Sequence, residues 1–182
     1  DSNTGTGEGG GLYVYDETFS IDKTTFSNNN VVNSGGAIAV IAVNSLAAST
    51  ITNSTFNDNT GNGSASNDFG GAIYYYYGIH QITNSTIFNN TSQLGGAVAF
   101  SYATVYLTNS TIANNTASIG DGLYQGSASY LYIKNSILAN NTVNDYYKGS
   151  SSGVVSDNGY NIVEVSNGRT WSGTGGRTGD QA

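Results

Sequence analysis

A phrase of ten residues recurs along this chain: ITNSTFNDNT at 51–60, ITNSTIFNNT at 82–91, LTNSTIANNT at 107–116 and IKNSILANNT at 133–142, with a fainter copy, IDKTTFSNNN, at 21–30. Internal repetition constrains a fold more than local propensity does, because each copy has to satisfy an equivalent environment. A second phrase keeps step with the first. It reads GGGL at 9–12, GGAI at 35–38 and 70–73, GGAV at 95–98 and GDGL at 120–123, so successive starts lie 26, 35, 25 and 25 residues apart. No stretch spaces its apolar residues by three and four, which argues against helical repeats. A helix-free repeat of about 25 residues predicts one coil of a β-solenoid.

Aligning the coils sorts residues into columns, because successive strand residues point to opposite faces. Leu12, Ile38, Ile73, Val98 and Leu123 form one apolar column. Ile21, Ile51, Ile82, Leu107 and Ile133 form a second, and Phe26, Phe56, Ile87, Ile112 and Leu138 a third. Three inward columns predict a three-sided, all-β, parallel solenoid of five to six coils. Two further columns are almost all asparagine: Asn53, Asn84, Asn109 and Asn135, then Asn29, Asn59, Asn90, Asn115 and Asn141. Asparagine tolerates left-handed backbone, so both columns are expected at corners, with stacked amides bonding along the axis.

Composition agrees with an ordered, strand-rich chain. There are 14 Tyr, 6 Phe and 25 Gly, no Pro, Cys or Met, and only 9% of residues are charged. Disordered chains of such low charge lack this aromatic and β-branched content. A net charge of −7 with five basic residues excludes a nucleic-acid surface. Within these 182 residues no apolar run approaches a membrane span, and the first residues are not expected to be a basic, hydrophobic leader. The start at Asp1 and the neutral hydroxyl- and amide-rich surface lead us to expect a mature secreted protein, extracellular or on a cell surface.

GGAI followed by an aromatic-x-x-Asn, as in Phe26–Asn29 (FSNN) and Phe56–Asn59 (FNDN), resembles the repeats of secreted right-handed parallel β-helix proteins. These include the polymorphic outer-membrane proteins and other bacterial surface proteins. The resemblance covers about 9–163, with DNGYNIV at 157–163 as a terminal coil, and implies a right-handed coil. It implies little about function, since that group spans adhesins and surface-layer components. Later coils replace the aromatic with Ile or Leu, and with no outer-membrane barrel or cell-wall anchor read within these 182 residues, autotransport is not expected.

The pattern divides the chain into an N-terminal tail at 1–8, a solenoid at 9–163 and a Gly/Thr-rich tail at 164–182. The tail at 1–8 is a candidate assembly strand. Coil two is longer than its neighbours, so loops are expected near 42–50 and 60–69, where binding often sits on a rigid scaffold. Alternation sends Tyr74 and Tyr76 outward in columns shared with Tyr13, Tyr124 and Tyr15, a patch suited to glycan stacking or subunit contact. Of eight Asn-x-Ser/Thr sequons, Asn62, in a predicted loop, is the best glycosylation acceptor.

Catalysis is not expected. Glycoside hydrolysis needs two carboxylates roughly 5–9.5 Å apart, yet Asp22 aligns with Thr52, Thr83, Thr108 and Lys134, and Asp58 with asparagines. No acids cluster for a metal, and no cofactor motif occurs. His80, the only histidine, aligns with Phe19, Ser49, Val105 and Leu131 and is expected inside, beside Ser49. A solenoid of this length stands about 25–30 Å tall with open ends. The expected function is therefore a secreted structural subunit that joins copies of itself head to tail into a filament or surface layer. A monomeric adhesin or glycan-binding module is the alternative, and a polysaccharide-active enzyme a more distant one.

Overall fold

The structure, a computed structural model, describes residues 2–43, 47–62, 68–150 and 152–164. Among these there is no helix, and parallel strands stack as a β-solenoid of about 6 turns. Each coil contributes three strands. Face one carries Leu12–Tyr15, Ile38–Ile41, the first part of Ile73–Thr83, the first part of Val98–Thr108, Leu123–Gln125 and Tyr146–Lys148. Face two carries Phe19–Asp22, Ala48–Thr52, the remainder of the two long strands, Tyr130–Lys134 and Val154–Asp157. Face three runs through Thr25–Ser27, Thr55–Asn57, Thr86–Phe88, Thr111–Ala113, Ile137–Ala139 and Ile162–Val163. A short fourth edge pairs Thr4–Gly5 with Asn30–Val31 and Thr60–Gly61.

The aligned columns are real registers. Ile21 pairs Ile51, Ile51 pairs Ile82, Ile82 pairs Leu107 and Leu107 pairs Ile133. From Ile51 to Ile133 this column is completely buried, each side chain contributing roughly 1.5–3 kcal/mol. Phe26 and Phe56 stack face to face at 5.1 Å, and the smaller Ile87, Ile112 and Leu138 continue their column. Registers also locate the extra residues of coil two. Face-one partners Ile41 and Tyr15 differ by 26 and face-two partners Ser49 and Phe19 by 30, so four residues (30 − 26) enter between them. Thr91 and Thr60 differ by 31, Leu94 and Phe69 by 25, so six more (31 − 25) enter between Thr60 and Phe69. Parts of both insertions, 44–46 and 63–67, lie outside the described residues.

Residues 2–8 are not a free tail. Thr4 and Gly5 pair with Asn30 and Val31, and the Asn3 side chain bonds to Asn29, so this segment is the first rung of the stack. The expected C-terminal tail, from 165 onward, lies outside the described residues.

The two asparagine columns differ in kind, contrary to the expectation that both are corners. Asn53, Asn84, Asn109 and Asn135 do turn a corner, exposed and left-handed with φ of 50–52°. Asn29, Asn59, Asn90, Asn115 and Asn141 instead point inward and are buried. Their left-handed neighbours, Asn28, Asp58, Asn89, Asn114 and Asn140, turn the corner. Each inward amide donates to the Oδ1 of the next coil: Asn29 to Asn59 at 2.8 Å, Asn59 to Asn90 at 2.9 Å, Asn90 to Asn115 at 3.0 Å and Asn115 to Asn141 at 2.9 Å. The same Oδ1 atoms accept the backbone N–H of the asparagine one coil earlier. The ladder runs one way, begins at Asn3 and ends on the Asp145 carboxylate, 2.6 Å from Asn141 Nδ2. A serine ladder runs beside it. The Oγ of Ser85, Ser110 and Ser136 each accepts the N–H of the serine one coil before, and Asn161 closes the series by accepting from Ser136 N–H.

Buried amides satisfied this fully leave several unpaired groups when one is removed. Asn90→Ala is expected to cost about 3–5 kcal/mol, whereas the exposed corner change Asn84→Ala costs about 1–2 kcal/mol. Urea denaturation of both variants checks the ranking; equal losses would contradict it.

Candidate functional site

The tyrosines of face one lie in register but do not form an open patch. Tyr13, Ala39, Tyr74, Ala99, Tyr124 and Tyr147 make one outward column. Tyr13 is 48% exposed, but Tyr74 only 7%. The Phe69 ring stacks on Tyr74 at 5.1 Å and leans on Tyr124 at 6.0 Å, roofing the column between them. Burial pushes the Tyr74 phenol up, away from ionisation. Outward alternation was therefore right for the strand and insufficient for exposure, because a corner residue five positions earlier folds over it.

Tyr76 lies one pleat further along and meets two residues that alternation did not single out, Tyr77 and Tyr102. Tyr77 and Tyr102 occupy the same corner position in adjacent coils, where Asp16 and Ala42 stand in the first two. Their rings stack at 5.1 Å and 19°, and Tyr76 stands edge-on to both, at 4.9 Å and 5.6 Å. Both have left-handed backbone, φ 63° for Tyr77 and 55° for Tyr102. A bulky side chain there costs on the order of 1–3 kcal/mol. At the other two corners, nine of the eleven left-handed positions among the described residues are asparagine or aspartate, the exceptions being Lys23 in the first coil and Tyr160 in the last. Left-handed backbone breaks strict alternation and turns the Tyr77 ring outward.

The strained turn is held from inside. His80 is fully buried and its Nε2 donates to the Tyr77 carbonyl at 2.7 Å. That fixes the tautomer, so Nδ1 accepts from Ser49 Oγ at 3.0 Å. Tyr75 stacks on the imidazole at 3.9 Å and 7°. Gly78, with φ 97°, has no room for a Cβ, which would fall 2.8 Å from His80 Nε2. Ser49 and His80 are both buried, and among the described residues the hydrogen bonds of the imidazole go to Ser49 and the Tyr77 carbonyl.

Further along the second face, Tyr106 and Tyr132 stack at 4.8 Å, with Tyr102 and Tyr106 both on the strand Val98–Thr108. Asn62 is exposed, its N–H donating to Val31 O at 2.7 Å. Among the described residues no three His, Asp or Glu side chains converge as for a metal.

The two ends of the stack differ. Leu12, Val14, Phe19, Ile21 and Phe26, interior residues of the first coil, are only partly buried, since no described coil lies beneath them. At the opposite end Tyr146 and Val163 are buried and Val155 partly so. Compared with family models, with curated proteins and with solved structures, the chain finds no match in any of the three.

Desolvation lowers the His80 pKa to about 4 from an ordinary 6.5, so the folded state binds fewer protons than the unfolded state between those values. Stability is untouched by this group above pH 6.5, falls as pH drops toward 4, and has lost roughly 3 kcal/mol below it. Melts of the parent and of His80→Gln at stepped pH check this: the parent's extra acid sensitivity should vanish in the variant, and parallel curves would contradict it.

Proposed function

We propose that the protein is a structural subunit whose copies stack end to end, the last coil of one against the first coil of the next, in an extracellular filament or surface layer. The observation that carries this reading is the open first-coil end. Five apolar side chains meet solvent there, and half the backbone groups of three strands point away from their only neighbour. A second parallel coil is the surface that satisfies both requirements at once, and another copy supplies one.

Charge supports unlike ends meeting. Asp1, Glu8, Asp16, Glu17 and Asp22 crowd the first 22 residues, while in the last 49 Lys134, Lys148, Arg169 and Arg177 balance Asp145, Asp157, Glu164 and Asp180, so that stretch is net neutral. Two first-coil ends face to face would repel; a first-coil end against a last-coil end does not. A contact between unlike ends does not close on itself and so propagates. The GGAI and Phe-x-x-Asn phrases, which resemble those of secreted bacterial surface β-helix proteins, support the extracellular setting.

Sedimentation velocity over a concentration series, with electron microscopy of the same samples, tests the reading. Linear assemblies should grow with concentration. Phe19→Glu, placed on the open end, should leave cooperative melting intact and keep the chain monomeric. A parent chain that stays monomeric at high concentration would overturn the reading.

A further inference from the structure

We propose that the corner built from Tyr76, Tyr77 and Tyr102 binds the neutral pyranose rings of a polysaccharide, independently of end-to-end stacking. Choice of residue is the first ground. At this chain's other two corners, nine of the eleven left-handed positions among the described residues are asparagine or aspartate, which take this backbone at little cost; Lys23 and Tyr160 are the others. Yet here it places two stacked tyrosines from adjacent coils in that conformation. Strain of this kind persists where the surroundings over-determine it, and they do: the His80 imidazole grips the Tyr77 carbonyl, and Gly78 leaves the space the imidazole needs. The rings are thus preorganised before any ligand arrives.

Shape is the second ground. Two stacked rings meet a third edge-on, an aromatic cluster with flat apolar faces and phenol hydroxyls, and Tyr102 is 42% exposed. Such a surface matches a sugar, which presents C–H bonds on its ring faces and hydroxyls around its rim. Four residues further along the same strand the exposed Tyr106 stacks on Tyr132, roughly 13 Å away at strand rise, giving a second platform for an extended chain.

Charge selects among ligands. Residues 24–120 contain no Lys or Arg, and their only acids are Asp58 and Asp68. Asp58 turns a corner beyond face three and Asp68 is buried, so neither faces the cluster from its own strands. The one nearby cation, Lys134, flanks only the second platform, two residues beyond Tyr132, and a chain at net −7 would repel an anionic polymer. A second copy as lateral occupant would bring two such charges side by side.

Native gels cast with hydroxyethylcellulose, dextran or galactomannan, against carboxymethylcellulose and polygalacturonate, test the proposal. At least one neutral polymer should retard the parent, and neither anionic polymer should. Tyr77→Asn and Tyr102→Asn should weaken the retardation at least about tenfold, while their melting temperatures stay level or rise, because asparagine suits the backbone. Phe19→Glu should bind as the parent does, which separates this site from stacking. No retardation by any neutral polymer, equal retardation of the asparagine variants, or preference for an anionic polymer would overturn it. So would an effect of those variants on sedimentation in place of gel mobility, which would make another copy the occupant.

Discussion

The one-way ladder of buried amides, from Asn3 through Asn29, Asn59, Asn90, Asn115 and Asn141 to Asp145, is the constraint on which the rest of this molecule depends. Apolar columns supply most of the driving force for stacking, but they tolerate error. A slip of one residue would turn the interior outward; a slip of two would keep apolar residues inside and merely exchange one for another. The same two-residue slip would take each buried amide off the amide it bonds to. Register is therefore set by polar groups, and the apolar residues benefit from it.

Corners follow from that register. A coil that must bring its amide beneath the next one has to turn within one or two residues, which demands left-handed backbone at fixed positions. Asn28, Asn53 and their equivalents meet the demand cheaply and face solvent. Tyr77 and Tyr102 meet it at a cost, held by a histidine whose other nitrogen is held by Ser49. The scaffold thus carries a costly left-handed turn in two adjacent coils within a small aromatic cluster, on the flank of a middle stretch that has few charges.

Much of this was legible before any coordinates. Repetition revealed the three apolar columns residue by residue, and the inward place of His80 beside Ser49, because a solenoid converts sequence spacing directly into vertical neighbours. Asn29 and Asn53 were harder to tell apart: both are asparagines near a turn, and only the backbone conformation separates an inward amide from a corner. The covering of Tyr74 by Phe69 was invisible for a different reason. A period of two gives the face a side chain leaves from, not what folds across it from five residues earlier. Tyr77 and Tyr102 were not singled out, because the same rule fails wherever φ changes sign. Serines of the repeated phrase carried no distinctive signal, since a hydroxyl reads alike inside and out.

Stacking in register, within one copy and between copies, can be measured directly by amide hydrogen exchange at two protein concentrations. In dilute solution the first-coil strands Leu12–Tyr15, Phe19–Asp22 and Thr25–Ser27 should exchange fastest and the long strands Ile73–Thr83 and Val98–Thr108 slowest. At high concentration the first-coil strands should gain protection while the long strands do not change. First-coil amides already as slow as those of the long strands in dilute solution, or a pattern indifferent to concentration, would contradict the account.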